Sequence, residues 1–183
     1  VACINSNKME SIAVTTGYAP VNGISLYYEI HGEGGIPLVL IHGGGSNIET
    51  SYKNLIPLLS GYTTVIAVEL QAHGRTSDRD APETFEQDAD DVFALLQHLK
   101  IAKANIAGFS NGGSTALQLA IRHPGMVNKL IPMSAATKRS GLIPGFFENM
   151  PGATLDNMLQ PLKDGQLKVN PDPKALQGLF EHY

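Results

Sequence analysis

The chain has a single cysteine, Cys3, among its 183 residues. One thiol forms no intrachain disulfide and builds no cluster of thiolate metal ligands. Positive charge is also scarce: 13 Lys+Arg stand against 17 Asp+Glu, for a net charge of −4, and no basic run is longer than Lys138-Arg139. That excludes an electrostatic nucleic-acid binder, so no nucleic-acid partner is expected. No apolar run approaches the roughly 18 residues of a membrane span. No G-K-[ST] closes a glycine-rich turn and no G-x-G-x-x-G stands at a strand end, which excludes the P-loop and the dinucleotide fingerprint. No metal and no organic cofactor is called for. There is no internal repeat, and the 19 Gly and 11 Pro are too scattered for low complexity. With 43% hydrophobic residues, a chain of this length buries about 70% of its unfolded surface and needs no disulfide or metal to support a core.

The chain starts at Val1, without a methionine, so an upstream segment is expected to have been removed or left out. Val1-Ala2-Cys3 followed by Asn5-Ser6-Asn7-Lys8 has the form of a bacterial lipoprotein signal, with small residues before a lipidated cysteine and a polar tether after it. The other reading is a free cysteine on a polar tail. The first implies an exported protein anchored to a membrane through Cys3, the second a cytoplasmic one; a membrane partner enters only with the first.

Residues 1–16 read as a polar N-terminal tail running into a first strand. Ile24–Ile30 is a second strand, entered through Asn22-Gly23, a hairpin signal. Residues 37–41 (Pro-Leu-Val-Leu-Ile) form a continuous apolar run, as expected of a strand buried on both faces. A helix is predicted over Ile48–Ser60, with Pro57 inside it, then a strand over Thr63–Val68. Thr84 and Gln87 form a capping-box pattern opening a helix whose apolar stripe is Phe85, Ala89, Val92, Leu96 and Leu99, with Asp88, Asp90 and Asp91 placed away from it. Asn105–Ala107 is a short strand, Ser114–Arg122 a helix stopping before Pro124, and Val127–Met133 a further strand. This alternation over residues 36–134 predicts a mostly parallel sheet flanked by helices. Five of the 11 prolines fall in the last quarter of the chain, where short amphipathic pieces predict helices and turns instead of strands.

Two glycine-rich segments carry chemistry. Gly108-Phe109-Ser110-Asn111-Gly112 fits G-x-S-x-G between a strand and a helix. A sharp strand-to-helix turn holds such a serine in a strained conformation with its hydroxyl clear of the sheet, and the glycines remove side chains that would collide. The helix after it aims free N–H groups at the reacting centre. His42-Gly43-Gly44-Gly45 ends the strand expected beside the elbow strand. Acyl transfer needs two N–H donors for a developing oxyanion; the Asn111 N–H and that of Gly44 are the candidates, with His42 a hydrogen-bonding structural residue.

These motifs, with Glu69-Leu70-Gln71-Ala72-His73-Gly74-Arg75-Thr76-Ser77 and Arg122-His123-Pro124, make the chain resemble the α/β-hydrolase family, specifically its small bacterial members with a helical lid. The middle segment is similar to a family loop written D-x-x-G-x-G-x-S, with Glu69 and Ala72 as departures. The resemblance covers roughly residues 17–183. It implies an α/β-hydrolase core over 17–136 and a helical lid over 137–183. It also implies a serine hydrolase of ester, lactone, amide or related carbonyl bonds, acting on a small-molecule substrate through Ser110. Phe146, Phe147, Met150, Leu155, Met158 and Leu159 of the lid predict an apolar, adaptable pocket roof.

A serine nucleophile needs a base and an orienting acid. In this family both follow the serine. After Ser110 stand only His123, at a helix end, and His182; His31, His42, His73 and His98 precede it. Asp156, Asp164 and Asp172 lie in the lid region without a strand to position them, and Glu148 and Glu181 are no better placed. The resemblance also implies two further strands after the lid. The chain is therefore expected to be the N-terminal part of a longer hydrolase, with base and acid beyond Tyr183, and to be nearly inactive alone. Two other functions share these motifs: a cofactor-free perhydrolase-like enzyme, and a non-catalytic binding module on the same fold, which would have no need of a strained serine. Some other doubly wound fold is the remaining alternative.

Overall fold

A computed structural model describes residues 14–142, 145 and 154–179. Cys3, Phe146, Phe147, Met150 and His182 lie outside the described residues. β1 (Val14–Val21) and β2 (Ile24–His31) form an antiparallel hairpin in which Val21 pairs with Ile24. Its two central residues, Asn22 and Gly23, have φ of +43° and +88°. Both values are positive, as the type I′ turn that matches strand twist requires.

β3 (Leu38–Ile41), β4 (Val65–Val68), β5 (Ala104–Phe109) and β6 (Val127–Met133) complete a six-stranded sheet of order β1-β2-β4-β3-β5-β6. β2 runs antiparallel to β4, while β4, β3, β5 and β6 are mutually parallel. The central strands are apolar throughout because both their faces are covered. Val39, Ile41, Ile66 and Val68 point to one side, where they join Val92, Leu95, Leu96, Ala116 and Leu119. Leu40, Val65 and Ala67 point to the other, against Ile48, Tyr52 and Ile56. Thus α3 (Phe85–His98) and α4 (Asn111–Arg122) cover one face, and α1 (Ile48–Tyr52) and α2 (Ile56–Leu59) the other. Among the described residues, two single 3₁₀ turns and the helices α5 (Gln160–Val169) and α6 (Pro173–Gly178) follow β6.

Three local expectations are corrected. The helix expected over Ile48–Ser60 is two short helices. Pro57 has no N–H to donate and its ring crowds the carbonyl four residues earlier, so the helix stops and restarts with Pro57 in its first turn. At the start of α3, Thr84 Oγ1 accepts from the Gln87 N–H at 3.1 Å, but the Gln87 side chain turns inward and donates to Asp91 Oδ1 at 3.0 Å. The capping box is therefore half-formed. The acids of α3 do not all face away from its apolar stripe either: Asp88 and Asp91 are buried, and Asp90 alone of the three pairs at the surface, with Arg122 at 2.9 Å. Asp91 also accepts from Asn22 Nδ2 at 2.9 Å and from Arg79, which ties the first hairpin and the loop before α3 to the helix. Asp88 meets the Thr115 hydroxyl of α4.

Candidate active site

Ser110 sits between the last residue of β5 and the first of α4, with φ +52° and ψ −114°. A non-glycine residue in this region is under strain of about 1–3 kcal/mol. Its N–H donates to Met133 O at 2.9 Å, and its carbonyl accepts the N–H groups of Gly113 and Ser114 at 2.9 and 3.0 Å. The turn is held from both sides while the side chain remains exposed. The flanking glycines have the steric reason anticipated for them. A Cβ on Gly108 would overlap the Gly112 carbonyl, and one on Gly112 would overlap the carbonyls of Ile41 and His42. The second clash also shows that the elbow and the end of β3 are in contact, as the pairing of Ile41 with Gly108 requires.

The turn after β3 is built around one carbonyl. Gly43 O accepts from Ser46 Oγ at 2.6 Å and the Ser46 N–H at 3.2 Å, and lies 2.8 Å from His42 Nδ1. A trans peptide is planar with its N–H opposed to its C=O. Fixing Gly43 O therefore fixes the Gly44 N–H on the opposite side, away from the three donors. Among the described residues this N–H has no partner. The next one, from Gly45, donates to His73 Nε2 at 3.0 Å. The Asn111 N–H is the first of α4 and belongs to the set no helix can satisfy internally.

Two buried imidazoles hold this turn to the end of β4. His42 Nε2 accepts the Leu70 N–H at 3.0 Å, and His73 Nδ1 lies 2.7 Å from Gln71 O. Each ring therefore has one nitrogen accepting from a backbone N–H and the other facing a carbonyl, which selects the Nδ1–H tautomer. Burial holds both neutral, lowering the pKa of His42 to about 4 and that of His73 to about 3, where the neighbouring His42 adds to the effect. Glu83 lies 3.9 Å from His73, but burial followed by the charges of Asp88 and Asp78 raises its pKa to about 8. Both partners are then neutral at pH 7, and the contact is not an ion pair.

Glu69, in place of the aspartate of the loop pattern, is fully buried and accepts from Arg75 Nε at 3.0 Å and Nη2 at 2.6 Å. Its Oε1 also lies 3.3 Å from the Ile48 N–H, the first of α1. Ala72, the second departure, has φ +58°, a left-handed conformation that glycine adopts more readily.

The structure brings together Ser110, Asn111, Gly108, Gly112, His42, Gly43, Gly44 and Gly45 at the carboxyl ends of adjacent parallel strands. It does not bring a histidine to Ser110 among the described residues. Both ring nitrogens of His42 are engaged, and the same holds for His73. His123 caps the other end of α4, about 18 Å along a 12-residue helix, where it stacks on Phe93 at 3.7 Å and bonds Asp90 at 2.7 Å. His31 ends β2 opposite Val65, the first residue of β4, and so lies at the amino-terminal end of the parallel strands, opposite to Ser110. No group of three His, Cys, Asp or Glu side chains among the described residues is arranged to hold a metal ion. Sequence reasoning missed Asn47, whose side chain accepts from the Thr50 N–H at 3.0 Å while Thr50 Oγ1 accepts from the Asn47 N–H at 2.9 Å. An Asn three residues before a Thr, just ahead of an apolar residue, was a legible capping signal. It also missed Gln166, which carries no local signal at all.

A family profile described as "alpha/beta hydrolase fold" matches residues 36–164. The chain belongs to the alpha/beta hydrolase family. It is 34% identical over 135 residues to the dihydrolipoyllysine-residue acetyltransferase component of the acetoin cleaving system of Pseudomonas putida, covering 74% of this chain and 36% of that protein. It is 36% identical over 126 residues to the human serine hydrolase BPHL, covering 65% of this chain and 42% of that protein. The enol-lactonase of Burkholderia xenovorans LB400 is a structural neighbour, with a TM-score of 0.67 and 26% identity over 89% of this chain and 72% of its own. The chain thus spans less than half the length of these two curated relatives.

Proposed function

We propose that this alpha/beta hydrolase chain carries the nucleophile of a serine hydrolase of ester, lactone or related carbonyl bonds. The observation that carries the reading is the positive φ of Ser110 between two glycines that have no room for a Cβ, beside a turn whose Gly44 N–H is unpartnered among the described residues. Strain of this kind persists where the surrounding structure over-determines it, and it clusters at reacting centres. In the proposed reaction Ser110 Oγ attacks the substrate carbonyl carbon and its proton passes to a base. The carbonyl oxygen becomes an oxyanion stabilised by the Gly44 and Asn111 N–H groups. Collapse of that intermediate expels the alcohol, which takes the proton from the base, and water then releases the acid from the acyl-enzyme. The base and its orienting acid are assigned outside the described residues. No cofactor enters these steps.

A fluorophosphonate probe tests the reading. The complete polypeptide is expected to be labelled, and Ser110→Ala to abolish labelling. A folded, unlabelled complete protein would favour the non-catalytic binding module instead. The 183 residues alone are expected to hydrolyse a p-nitrophenyl ester no faster than a Ser110→Ala control; turnover typical of an intact esterase would overturn the assignment of the base to another part of the polypeptide.

A further inference from the structure

Gln166 lies on α5, 92 residues from Gly74 and 120 from Ser46, yet only 5% of it is exposed. Its carboxamide is engaged at both ends. Oε1 accepts the Gly74 N–H at 2.7 Å, and Nε2 donates to Ser46 O at 3.2 Å while lying 3.5 Å from Gly45 O. His73 holds the Gly45 N–H, so the turn is gripped by an imidazole from the β4 loop and a carboxamide from α5. The helix is brought this close by Asn47 Nδ2, which donates to Gly165 O at 2.9 Å. A Cβ at position 165 would overlap the Thr50 side chain, so glycine lets the helix approach without displacing Thr50. The ends of Met158 and Leu162 lie close over Gly45, where an added Cβ would stand 3.3 Å from Met158 Cε and 3.6 Å from Leu162 Cδ1.

The peptides that Gln166 holds begin one residue after Gly44. Gln166 anchors Ser46 by its carbonyl, and Ser46 in turn holds Gly43 O through its N–H and Oγ, so a displaced Ser46 releases the carbonyl whose planar peptide carries the Gly44 N–H. We propose that Gln166 is a positioning residue for the oxyanion hole, through which the docked lid segment sets the direction of the Gly44 N–H. This rests on the reading of Gly44 as an oxyanion donor for Ser110. A methyl group or a charge at position 166 reaches the chemistry without touching substrate.

The test uses the complete polypeptide with a p-nitrophenyl ester and a fluorophosphonate probe. Gln166→Met keeps the volume and removes both polar ends. It is expected to lower kcat and the labelling rate by roughly 10- to 100-fold, the scale set by small misplacement of a reacting geometry, with KM within about twofold. Amide exchange at Gly74 accelerates in the same variant. Gln166→Glu keeps the acceptor for Gly74 and loses the donor to Ser46. It is expected to retain Gly74 protection yet lose kcat, a split that a purely structural role would not produce. Lys168→Ala removes a surface pairing of the same helix with Glu49 and is expected to leave kcat unchanged. Wild-type kcat and labelling in folded Gln166→Met or Gln166→Glu would overturn the proposal alone. Failure of the wild-type protein to label would overturn the serine-hydrolase reading, and this proposal with it.

Discussion

Ser110 and Ala72 are both held at positive φ without being glycine. At Ser110 the strain belongs to the proposed chemistry. Ser110→Gly removes it along with the proposed nucleophile, and is expected to raise stability by about 1 kcal/mol, or roughly 2–4 °C in Tm for a chain of this size. Thermal unfolding followed by circular dichroism checks this, and a lower Tm would argue that the serine is not strained. Ala72 has no such role. Ala72→Gly is expected to stabilise by about 0.5 kcal/mol, since the left-handed penalty of ~1–2 kcal/mol exceeds the entropy that glycine adds to the unfolded chain. The serine was legible because its pattern repeats a backbone requirement in residue types. The positive φ of Ala72 was not, because alanine gives no hint of such a conformation.

At the scale of elements, α3 was the most readable piece and also the most instructive error. Ala89, Val92 and Leu96 of its expected stripe are buried and Thr84 caps it, while Phe85, the first residue of that stripe, is exposed. Asp88 and Asp91 nevertheless face inward, because a helix packed against a second helix and a hairpin turn is covered over more of its circumference than its apolar stripe alone suggests. Burial pushes the Asp91 carboxyl up, while Asn22, Arg79 and Gln87 pull it down. Asp91→Ala leaves the largely buried Arg79 without this partner and is expected to cost about 3 kcal/mol, read as a lower urea midpoint at unchanged m-value. The junction of β3 with α4 is less forgiving still. Gly112→Ala drives a methyl into the carbonyls of Ile41 and His42 and is expected to cost more than about 3 kcal/mol or to prevent folding. Soluble expression of that variant with wild-type stability would contradict the elbow geometry.

Across the whole molecule, two sets of buried groups set opposite pH trends. The pKa values of His42 and His73 are depressed, so the stability tied to their neutral forms is complete above about pH 6.5. It is lost as the pH falls toward about 4 and 3. Glu83 has a raised pKa, so its contribution is present in acid and lost as the pH rises from about 4.5 through about 8. Asp88, raised by burial and by Asp91, acts in the same direction as Glu83. Above pH 6.5 only the carboxyls of these two sets still act. Stability is therefore expected to fall by about 2 kcal/mol between pH 6.5 and 8 on account of Glu83, and Glu83→Gln is expected to remove that part of the decline. Denaturant titrations at the two pH values decide it; an unchanged slope in the variant would assign the decline elsewhere.

What the chain's own order of residues determined is the parallel architecture, the place of Ser110 and the glycine turn beside it. These follow from local rules: periodicity, strand-bounding turns, and glycine where a backbone must approach another. Tertiary structure alone decided how the site is held. His42, His73 and Gln166 each bond backbone groups of loops that only the folded sheet and the docked α5 bring together. Such contacts depend on one side chain meeting one peptide over separations of 28 to 120 residues, and they leave no periodic trace in the sequence.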